Sequence, residues 1–450
     1  MPTDKFYSFS KNQMIPLLFG IFFSLMSLCL FQFQKYQKLS IIFLLLGALA
    51  LRLFVGLLDG HLTYWDEQFH ALVAKNMMIE PFKPMLYKNP ILPYDETNWI
   101  QGHIWLHKQP LFLWQMALSM KIFGISEFGL RLPSILMSTI IVAFIYRIGK
   151  QHINKQVGYF AALFFSFSHF VLEITAGFIH TDHNDIAFLF YVTASIWAWT
   201  EYEKLTNANR RNIFIILIGV FAGCAVMNKW LTGLLVYAGW GLSLWLNNFG
   251  KINLIKYRDL LLSLLMSIFT FIPWQIYINT NFPKISQFEN KLNTRHFFEI
   301  IEDHGGDFWW HINQSFDMYK VDPFLLILCI VILFNSIQTH SVKIGLIFNI
   351  LLIYLFFGIA STKMIAFTFC VSPMIYLGLG NLFEKLTQVN FMNYHFSKIT
   401  TTNSIFTIIF CCWISWYNFD YPKIIENHTM QDKTTSSFFY QRMKSSKFIK

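Results

Sequence analysis

The chain has 450 residues, of which 55% are hydrophobic and only 13% are charged, and its mean hydropathy is +0.44. This composition excludes an ordinary soluble globular domain, which needs a larger charged surface, and it predicts a membrane protein. The formal net charge of +10 does not indicate nucleic-acid binding, because the lysines and arginines lie mostly in short connectors between apolar runs.

The apolar runs predict an all-α membrane bundle. A helix that crosses about 30 Å of hydrocarbon needs roughly 20 mostly apolar residues, and shorter runs serve where neighbouring helices cover them. About twelve runs meet this description, so we expect about twelve transmembrane helices. The predicted spans are 14–33, 39–58, 133–148, 157–176, 185–202, 212–228, 231–247, 259–279, 323–339, 343–360, 364–382 and 404–420.

Lysine and arginine recur in alternate connectors, and such residues are retained on the cytoplasmic side of a membrane. The basic connectors are 35–38, 147–155, 204–211 and 251–258. The two longest polar stretches, 59–132 and 281–322, then fall on the extracytoplasmic side together with the turn 177–184. Nine of the 14 histidines lie in these three segments. The sequence therefore predicts a polar site on the extracytoplasmic side of the cytoplasmic (inner) membrane.

The chain divides into three predicted parts. We expect an extra transmembrane helix and connector at 1–38, the main membrane domain at 39–382, and a final transmembrane helix with a short basic tail at 383–450. Within the stretch 59–132, the segment "PLFLWQMALSMKIFG" at 110–124 is too short and too polar for a span. It predicts an interfacial helix.

The stretch "YWDEQFHALVAKN" places Asp66 and Glu67 directly after a predicted span. If it is helical, Asp66 and His70 share one face at i and i+4. A carboxylate at a water–lipid boundary, with a polar neighbour to orient it, has the placement of a general base. Helix capping is the alternative, because Thr63 to Asp66 has the capping-box spacing and Asp66 suits an N-cap.

A second polar cluster, "HTDHND", begins at His180 between two predicted spans. The cluster offers a second acid, Asp182 or Asp185. Imidazole and carboxylate are ordinary metal ligands, so the cluster also suits a divalent metal, with His180, Asp182, His183 and Asp185 as the ligands. The spacing is not a specific metal signature. The alternative is a solvated turn in which Asp182 or Asn184 caps the next helix.

Three lysines stand at the predicted extracytoplasmic edge: Lys108 in "LHKQPLF", Lys229 in "MNKWLTG" and Lys363 in "STKMIAF". Each suits an anionic group held at the membrane surface. Lipid headgroups attract such lysines as well, so binding of membrane lipids by snorkelling is the alternative for all three.

Arg52 and Glu173 lie within predicted spans, where ionisable residues are costly, and we expect them to pair. Intramembrane charges and about twelve spans also occur in transporters and flippases, which form the rival class. A transporter should place its polar residues near the bilayer midplane and show internal repeats. This chain instead gathers them in loops on one side and shows no repeat.

Four stretches together resemble glycosyltransferase family 39, which includes the protein O-mannosyltransferases and the transferases that add aminoarabinose to lipid A. They are "YWDEQFHALVAKNM", "HKQPLFLWQMALSMKIFGISEFGLRLPS", "TDHNDIAFLF" and "STKMIAFTFCVSPMIYLGLG". The resemblance runs from about Leu39 to Gly380. It implies the GT-C fold, a multi-span bundle whose active site faces away from the cytoplasm and uses a polyprenyl-phosphate-linked sugar as donor.

The resemblance also implies residue roles. Asp66 takes the position of the catalytic base toward the acceptor, with Glu67 beside it. The second acid falls in "TDHND", where Asp182 is favoured over Asp185. These assignments make the acids of the two clusters parts of one active site.

Lys108 takes the position of a loop lysine that holds the donor phosphate, and Lys363 resembles a later lysine that faces the same phosphate. One departure from the family concerns the residues two and three places after the Glu, which are often Arg-Tyr. Here they are Phe69 and His70, so His70 or another cation substitutes for the missing arginine.

The chemistry fits these residues. Attack at the anomeric carbon passes through an oxocarbenium-like state that a carboxylate near the nucleophile assists, while cations stabilise the departing phosphate. Direct attack by an acceptor hydroxyl inverts the configuration. The acceptor is a glycolipid such as lipid A, a surface glycan or a protein, and the scarcity of soluble sequence favours a lipid or glycan. No cofactor is specified, and a divalent metal stays an open alternative.

Overall fold

The protein is described from a computed structural model. The described residues are 9–91, 93–95, 97–98, 101–180, 182–247, 254–388 and 399–431. They are helical apart from turns and one isolated antiparallel bridge between Met85 and Ile104. The predicted all-α class is confirmed. Of the basic tail predicted after Asp420, residues 421–431 form a helix, and the remainder lies outside the described residues.

The helices of the first half follow the predicted apolar runs closely. They are α1 Lys11–Phe31, α2 Gln37–Gly56, α3 Asp66–Met77, α4 Leu111–Phe123, α5 Glu127–His152, α6 Lys155–Ser166, α7 His169–Thr175, α8 Asp182–Lys204, α9 Ala208–Lys229 and α10 Leu235–Asn247. Short 3-10 helices at Gln34–Tyr36 and Trp230–Leu234 join two of these pairs.

The second half adds nine helices to the description. They are α11 Leu254–Asn281, α12 Pro283–Phe298, α13 Trp310–Asn313, α14 Ser315–Tyr319, α15 Pro323–Ser336, α16 His340–Ile359, α17 Ser372–Gln388, α18 Ile399–Phe419 and α19 Tyr421–Gln431. A 3-10 helix at Ile365–Val371 leads into α17. Every predicted span therefore coincides with one or two of the observed helices.

Seven helical segments of the described chain are long and apolar enough to cross a membrane. An eighth is added if α6 and α7, which are bent by 53° at the break between them, form one span. The predicted total of about twelve is not confirmed. Length and charge explain part of the difference, since α15 has only 14 residues and α8 carries acids at both ends. In addition, the predicted spans 212–228 and 231–247 fall in one continuous segment, Ala208–Asn247.

Close backbone contacts hold the bundle together. At Gly158 of α6, an added Cβ would lie 2.5 Å from the carbonyl oxygen of Tyr146 on α5. Only a residue without a Cβ permits this approach, and small residues at helix contacts are typical of membrane bundles, where packing replaces the hydrophobic driving force. The contact fixes α5, which carries Arg131, against the rest of the bundle.

The helix predicted at 110–124 is observed as α4. It buries Phe112, Leu113 and Met116 and exposes Leu118 and Ile122. Its buried face packs on α3 and α5. The helix itself is confirmed, and its position in the membrane interface stays a prediction.

The predicted ion pair between Arg52 and Glu173 is wrong. The Arg52 side chain is fully buried and donates from Nε to Ser138 Oγ (2.6 Å) and from Nη1 to the carbonyl oxygen of Ala48 (3.0 Å). A hydroxyl and a carbonyl therefore take the place of the expected carboxylate. Sequence position alone did not show that these acceptors face Arg52.

Glu173 pairs instead with a residue from the C-terminal end. The ring of His428 on α19 lies with Nε2 3.2 Å from Glu173 Oε2 and with Nδ1 2.6 Å from Asp59 Oδ2. All three side chains are buried. Burial would lower the pKa of His428, but the two carboxylates raise it to about 10. A histidine distant in sequence therefore neutralises the acid within the membrane region.

Candidate functional site

The candidate site starts where α2 ends and α3 begins. Trp65 has a φ of 79° and precedes the first helical residue, Asp66. The capping interpretation is wrong, because no described side chain forms a cap hydrogen bond at this helix start, and the buried Thr63 Oγ1 has no partner among the described residues. Instead of Thr63 capping α3 with its side chain, the Thr63 backbone amide donates to Glu67 Oε2 (2.6 Å).

Glu67 forms the centre of a buried ion pair. Arg131 on α5 donates from Nε to Oε1 (2.7 Å) and from Nη2 to Oε2 (3.0 Å), and both side chains have no exposed surface. Such bidentate pairs are strong and directional. The remaining guanidinium donors reach the carbonyl oxygens of Gly56, Asp59 and His61. Arg131 therefore joins the end of α2 to α3.

The turn after α7 completes this cluster. His183 Nε2 lies 3.1 Å from Glu67 Oε1, and its Nδ1 lies 2.8 Å from Ser134 Oγ. Gly177 passes so close that an added Cβ would overlap the Glu67 carboxylate. Burial would raise the pKa of Glu67, but the charge of Arg131 and the hydrogen bonds from His183 and Arg131 lower it to about 2. Glu67 is thus a fixed anion without access to solvent.

Asp182 and His70 form a second buried pair. Asp182 Oδ1 lies 3.0 Å from His70 Nδ1 and also accepts from the His183 amide. His70 is held edge-on by Phe112, with ring centroids 4.9 Å apart. Within the described chain, Asp182 Oδ2 and His70 Nε2 are buried without a hydrogen-bond partner. Buried polar groups are normally paired, so these two atoms are suited to a polar ligand group.

Asp66 differs from the other three acids of the site by its exposure. Its side chain is 21% exposed, whereas those of Glu67, Asp182 and Asp185 are at most 1% exposed. The ring of His180 lies with Nδ1 3.9 Å from Asp66 Oδ2, and the His180 side chain is 67% exposed. Asp66 is therefore the only one of these four acids that is open to solvent.

Asp185 pairs with Lys229 at the end of α9, and the ammonium of Lys229 also lies 5.4 Å from the centre of the Phe367 ring. Lys108 is half-buried and close enough to act electrostatically on Asp185. It forms no hydrogen bond or ion pair with any described residue. Of these two lysines, Lys108 is the one whose charge is not already neutralised by a direct partner.

Lys363 is placed differently from Lys108. Its Nζ donates to the carbonyl oxygens of Phe357 (2.9 Å) and Gly358 (2.6 Å) at the end of α16, and only 3% of the residue is exposed. Cations near a helix C-terminus satisfy its last carbonyls. The neighbouring His311 is buried, and burial together with Lys363 lowers its pKa to about 4. Lys363 thus stabilises this loop and makes no described contact with the acids.

The "HTDHND" stretch does not gather into a metal site. Its four polar side chains turn to different partners: His180 to Asp66, Asp182 to His70, His183 to Glu67 and Ser134, and Asp185 to Lys229. Among the described residues, no group of three or more His, Cys, Asp or Glu side chains is placed to hold a metal ion. Thr181 of this stretch lies outside the described residues.

The acids and histidines of the two polar stretches lie close together, as the sequence predicts: Asp66, Glu67, His70, Asp182 and His183. Arg131 was not predicted as part of this cluster, although it lies within the quoted "GLRLPS" segment. The available signal was an arginine at the start of a predicted span, where a buried charge is usually paired.

A helical membrane bundle with an accessible acid beside buried acids, at the ends of α2 and α7, has the architecture of the GT-C membrane glycosyltransferases. The crystal structure of ArnT from Cupriavidus metallidurans bound to undecaprenyl phosphate matches with a TM-score of 0.62 at 13% identity. The match covers 87% of this chain and 74% of that one. The GT-C fold is confirmed.

The family comparison points the same way. Residues 107–277 match the family model of dolichyl-phosphate-mannose-protein mannosyltransferases. The predicted resemblance to glycosyltransferase family 39 is confirmed over this segment of the chain.

Two curated relatives match part of the chain. The undecaprenyl phosphate-alpha-4-amino-4-deoxy-L-arabinose arabinosyl transferase 2 of Pseudomonas fluorescens (strain Pf0-1) is 23% identical over 258 residues, which is 54% of this chain. An uncharacterised protein of Aquifex aeolicus (strain VF5) is 27% identical over 184 residues, which is 40% of this chain. The matched segments span 42% and 33% of these two relatives.

Proposed function

We propose that the protein is an integral membrane glycosyltransferase that moves a sugar from a polyprenyl-phosphate donor to an acceptor hydroxyl. The observation that carries the proposal is the contrast in exposure between Asp66, at 21%, and the three buried acids around it. A base that receives a proton from a bound acceptor must be reachable. The family relationship of residues 107–277 and the undecaprenyl phosphate bound to the ArnT neighbour support the donor class.

In the proposed reaction, the acceptor oxygen attacks the anomeric carbon as its proton passes to Asp66. The bond between that carbon and the phosphate oxygen breaks, and its electron pair leaves with the polyprenyl phosphate. Positive groups stabilise the developing charge on the phosphate. Lys108 suits this role because it is half-buried and has no ion-pair partner among the described residues. Because the acceptor attacks directly, the configuration inverts.

The buried residues position Asp66 in this mechanism. Glu67 is held by Arg131 and His183, so it fixes the first turn of α3 rather than exchanging protons with substrate. Asp182 and His70 each present one buried atom without a described partner, and these atoms suit hydroxyl groups of the transferred sugar. Lys363 lies at the end of α16. To bind the donor phosphate, its Nζ has to give up its hydrogen bond to the carbonyl oxygen of Gly358.

The location of the reaction follows from the charge pattern. Basic residues in alternate connectors support a site on the extracytoplasmic face of the cytoplasmic membrane. A glycolipid, a surface glycan or a protein remains the acceptor class. Transport of a lipid-linked sugar, the rival proposal, has no observation of this structure in its favour.

The test is sugar transfer by the purified protein in lipid nanodiscs. Polyprenyl-phosphate sugars labelled in the sugar are incubated with membrane extract, and the label is followed into lipid, glycan and protein fractions. We expect covalent transfer into one fraction, with polyprenyl phosphate released in equal amount. Movement of intact donor between leaflets without any new glycosidic bond would favour the transporter and contradict the enzyme.

A further inference from the structure

A cavity of about 540 Å³ opens between a first wall, formed by residues of 83–90, 94 and 103–104, and a second wall at the corner where α11 meets α12. None of its described lining residues lies within 107–277, the segment that matches the family model. Its lining includes the basic residues Lys83, Lys88, His103 and Lys284. None of the described lining residues is an acid. The cavity therefore offers a concave, positively charged surface.

The first wall is anchored to the helix that carries Asp66. Its two chain segments pair through the Met85–Ile104 bridge, with the Leu86 amide donating to the His103 carbonyl (3.0 Å). Asn76, near the end of α3, donates from Nδ2 to the carbonyl oxygen of Met85 (2.8 Å). The position of this wall is thus coupled to α3 by hydrogen bonds.

The second wall is held by aromatic and polar contacts at the start of α12. The ring of Phe282 lies 6.1 Å from that of Tyr277, which in turn lies 6.1 Å from Phe82 of the first wall's segment. Ser286 is buried and bonded to Asn279 at 2.8 Å. Both walls are therefore built independently of any ligand, as is usual for binding sites.

The charges of the cavity are available to a ligand. Lys88 and Lys284 are exposed and form no ion pair with any described residue. Lys83 lies 3.9 Å from Glu80, and both side chains are about half exposed, so this contact is weak. Tyr87 and Tyr94 add aromatic surface beside these lysines. Ammonium groups next to aromatic rings suit a phosphate- or carboxylate-bearing sugar, because the charges bind the anion and the rings bind the apolar sugar face.

The cavity is connected to the candidate site from both sides. Asn76 follows Asp66 by ten residues on α3, which corresponds to a rise of about 15 Å. From the other wall, Glu289 of α12 lies 3.3 Å from His107, the neighbour of Lys108. A molecule that fills both places must therefore extend over roughly this distance.

We propose that this cavity binds an anionic group of the acceptor, about 15 Å from the hydroxyl that Asp66 activates. The assignment rests on the proposed glycosyl transfer and names its acceptor class, an extended saccharide with a phosphate or carboxylate beyond the reacting sugar. Recognition then has two parts: Asp66 selects a hydroxyl, and the cavity selects the anion at a fixed separation from it.

The test measures binding without donor, so its result does not depend on transfer. Labelled glucosamine 6-phosphate and glucosamine are dialysed to equilibrium against the full-length protein in phosphatidylcholine nanodiscs. We expect saturable binding of the phosphate and at least about tenfold weaker binding of glucosamine, as expected for a few lysine–phosphate contacts. Equal binding of the two sugars, or no binding of either, overturns the assignment.

A lipid headgroup offers the same anionic chemistry, and a second arm distinguishes it. If nanodiscs with phosphatidylglycerol abolish sugar-phosphate binding, the cavity belongs to membrane lipid and the acceptor assignment fails. Undiminished binding supports it.

The lysines are tested by substitution. The double variant Lys88→Gln with Lys284→Gln should weaken sugar-phosphate binding roughly tenfold, and the control pair Lys121→Gln with Lys291→Gln, also exposed lysines, should leave it unchanged. Equal effects of both pairs would show that the interaction depends only on net charge, which would overturn the site.

In transfer assays, the double variant of the cavity lysines should raise the amount of membrane extract needed for the half-maximal rate and leave the donor KM unchanged. A raised donor KM contradicts the acceptor role, whereas absence of transfer in the wild type contradicts the proposed function alone.

Discussion

Arg131 is the residue whose removal should damage the site most without touching Asp66. Its guanidinium makes two hydrogen bonds to Glu67 and three to backbone carbonyls, and all of them are buried except the partly buried one to His61. Replacing one partner of a buried pair costs about 3–5 kcal/mol, because the other charge remains in a medium of low polarity. We therefore expect Arg131→Gln to lower the free energy of unfolding by about 4 kcal/mol.

The lowered pKa of Glu67 corresponds to a contribution of similar size. Its pKa is lowered from 4.5 to about 2, and a factor of ten in protonation corresponds to 1.36 kcal/mol, so the charged state contributes about 3 kcal/mol. Because the folded pKa lies below the unfolded one, this contribution is present above pH 4.5 and is lost as the pH falls toward 2.

The assay is a double-mutant cycle. Unfolding of wild type, Arg131→Gln, Glu67→Gln and the double variant is followed by equilibrium titration with sodium dodecyl sulfate in mixed micelles at neutral pH. We expect the double variant to be more stable than Arg131→Gln, because no uncompensated buried charge remains, and the coupling energy to exceed about 2 kcal/mol. Additive effects of the two single changes, or a loss below about 1 kcal/mol for Arg131→Gln, would refute the reasoning.

Three further predictions use other contacts of the bundle. His428→Gln should remove a pH dependence of stability. The pKa of His428 in the folded protein, about 10, lies above its ordinary value of 6.5. Its contribution to the free energy of unfolding is therefore fully present below pH 6.5 and is lost as the pH rises through 10. Thermal unfolding of the variant should stay flat over this window. Gly177→Ala, at a φ of 82° and without room for a Cβ, should lose about 1–3 kcal/mol in the same titration, whereas Gly60→Ala, with nothing within 4 Å, should not. Lys108→Gln should raise the donor KM while thermal stability is unchanged, but Lys229→Gln should lower the melting temperature, since it leaves a buried acid unpaired.

The fold could be predicted well from the apolar runs, because helix length and hydropathy are local properties of the chain. Every predicted span lies on an observed helix. The number of membrane crossings could not be predicted, because α15 is only 14 residues long and α6 and α7 are separated by a 53° bend. Whether such helices span depends on their neighbours, and neighbours are a property of packing.

The sequence predicted which acids and histidines lie close together, but it did not predict their partners or the position of Lys363. The acids of α3 and the "HTDHND" turn do meet, as His70 with Asp182 and His183 with Glu67. The partners Arg131 and His428 were not identified, because their role depends on which faces of α5 and α19 turn inward. For the same reason Arg52 and Glu173 were paired wrongly, since two charges at similar depth in a membrane need not share a helix interface.

The most direct test of the central claim is the rate of sugar transfer by Asp66→Asn. Asparagine keeps the size of the side chain and removes its ability to accept the proton at neutral pH. Loss of a general base typically costs about 100-fold to 10,000-fold, so we expect a fall of at least about 100-fold with unchanged folding, while Glu80→Gln, an exposed acid on the same stretch, retains full activity. Transfer by Asp66→Asn at the wild-type rate would contradict the assignment of Asp66 as the base.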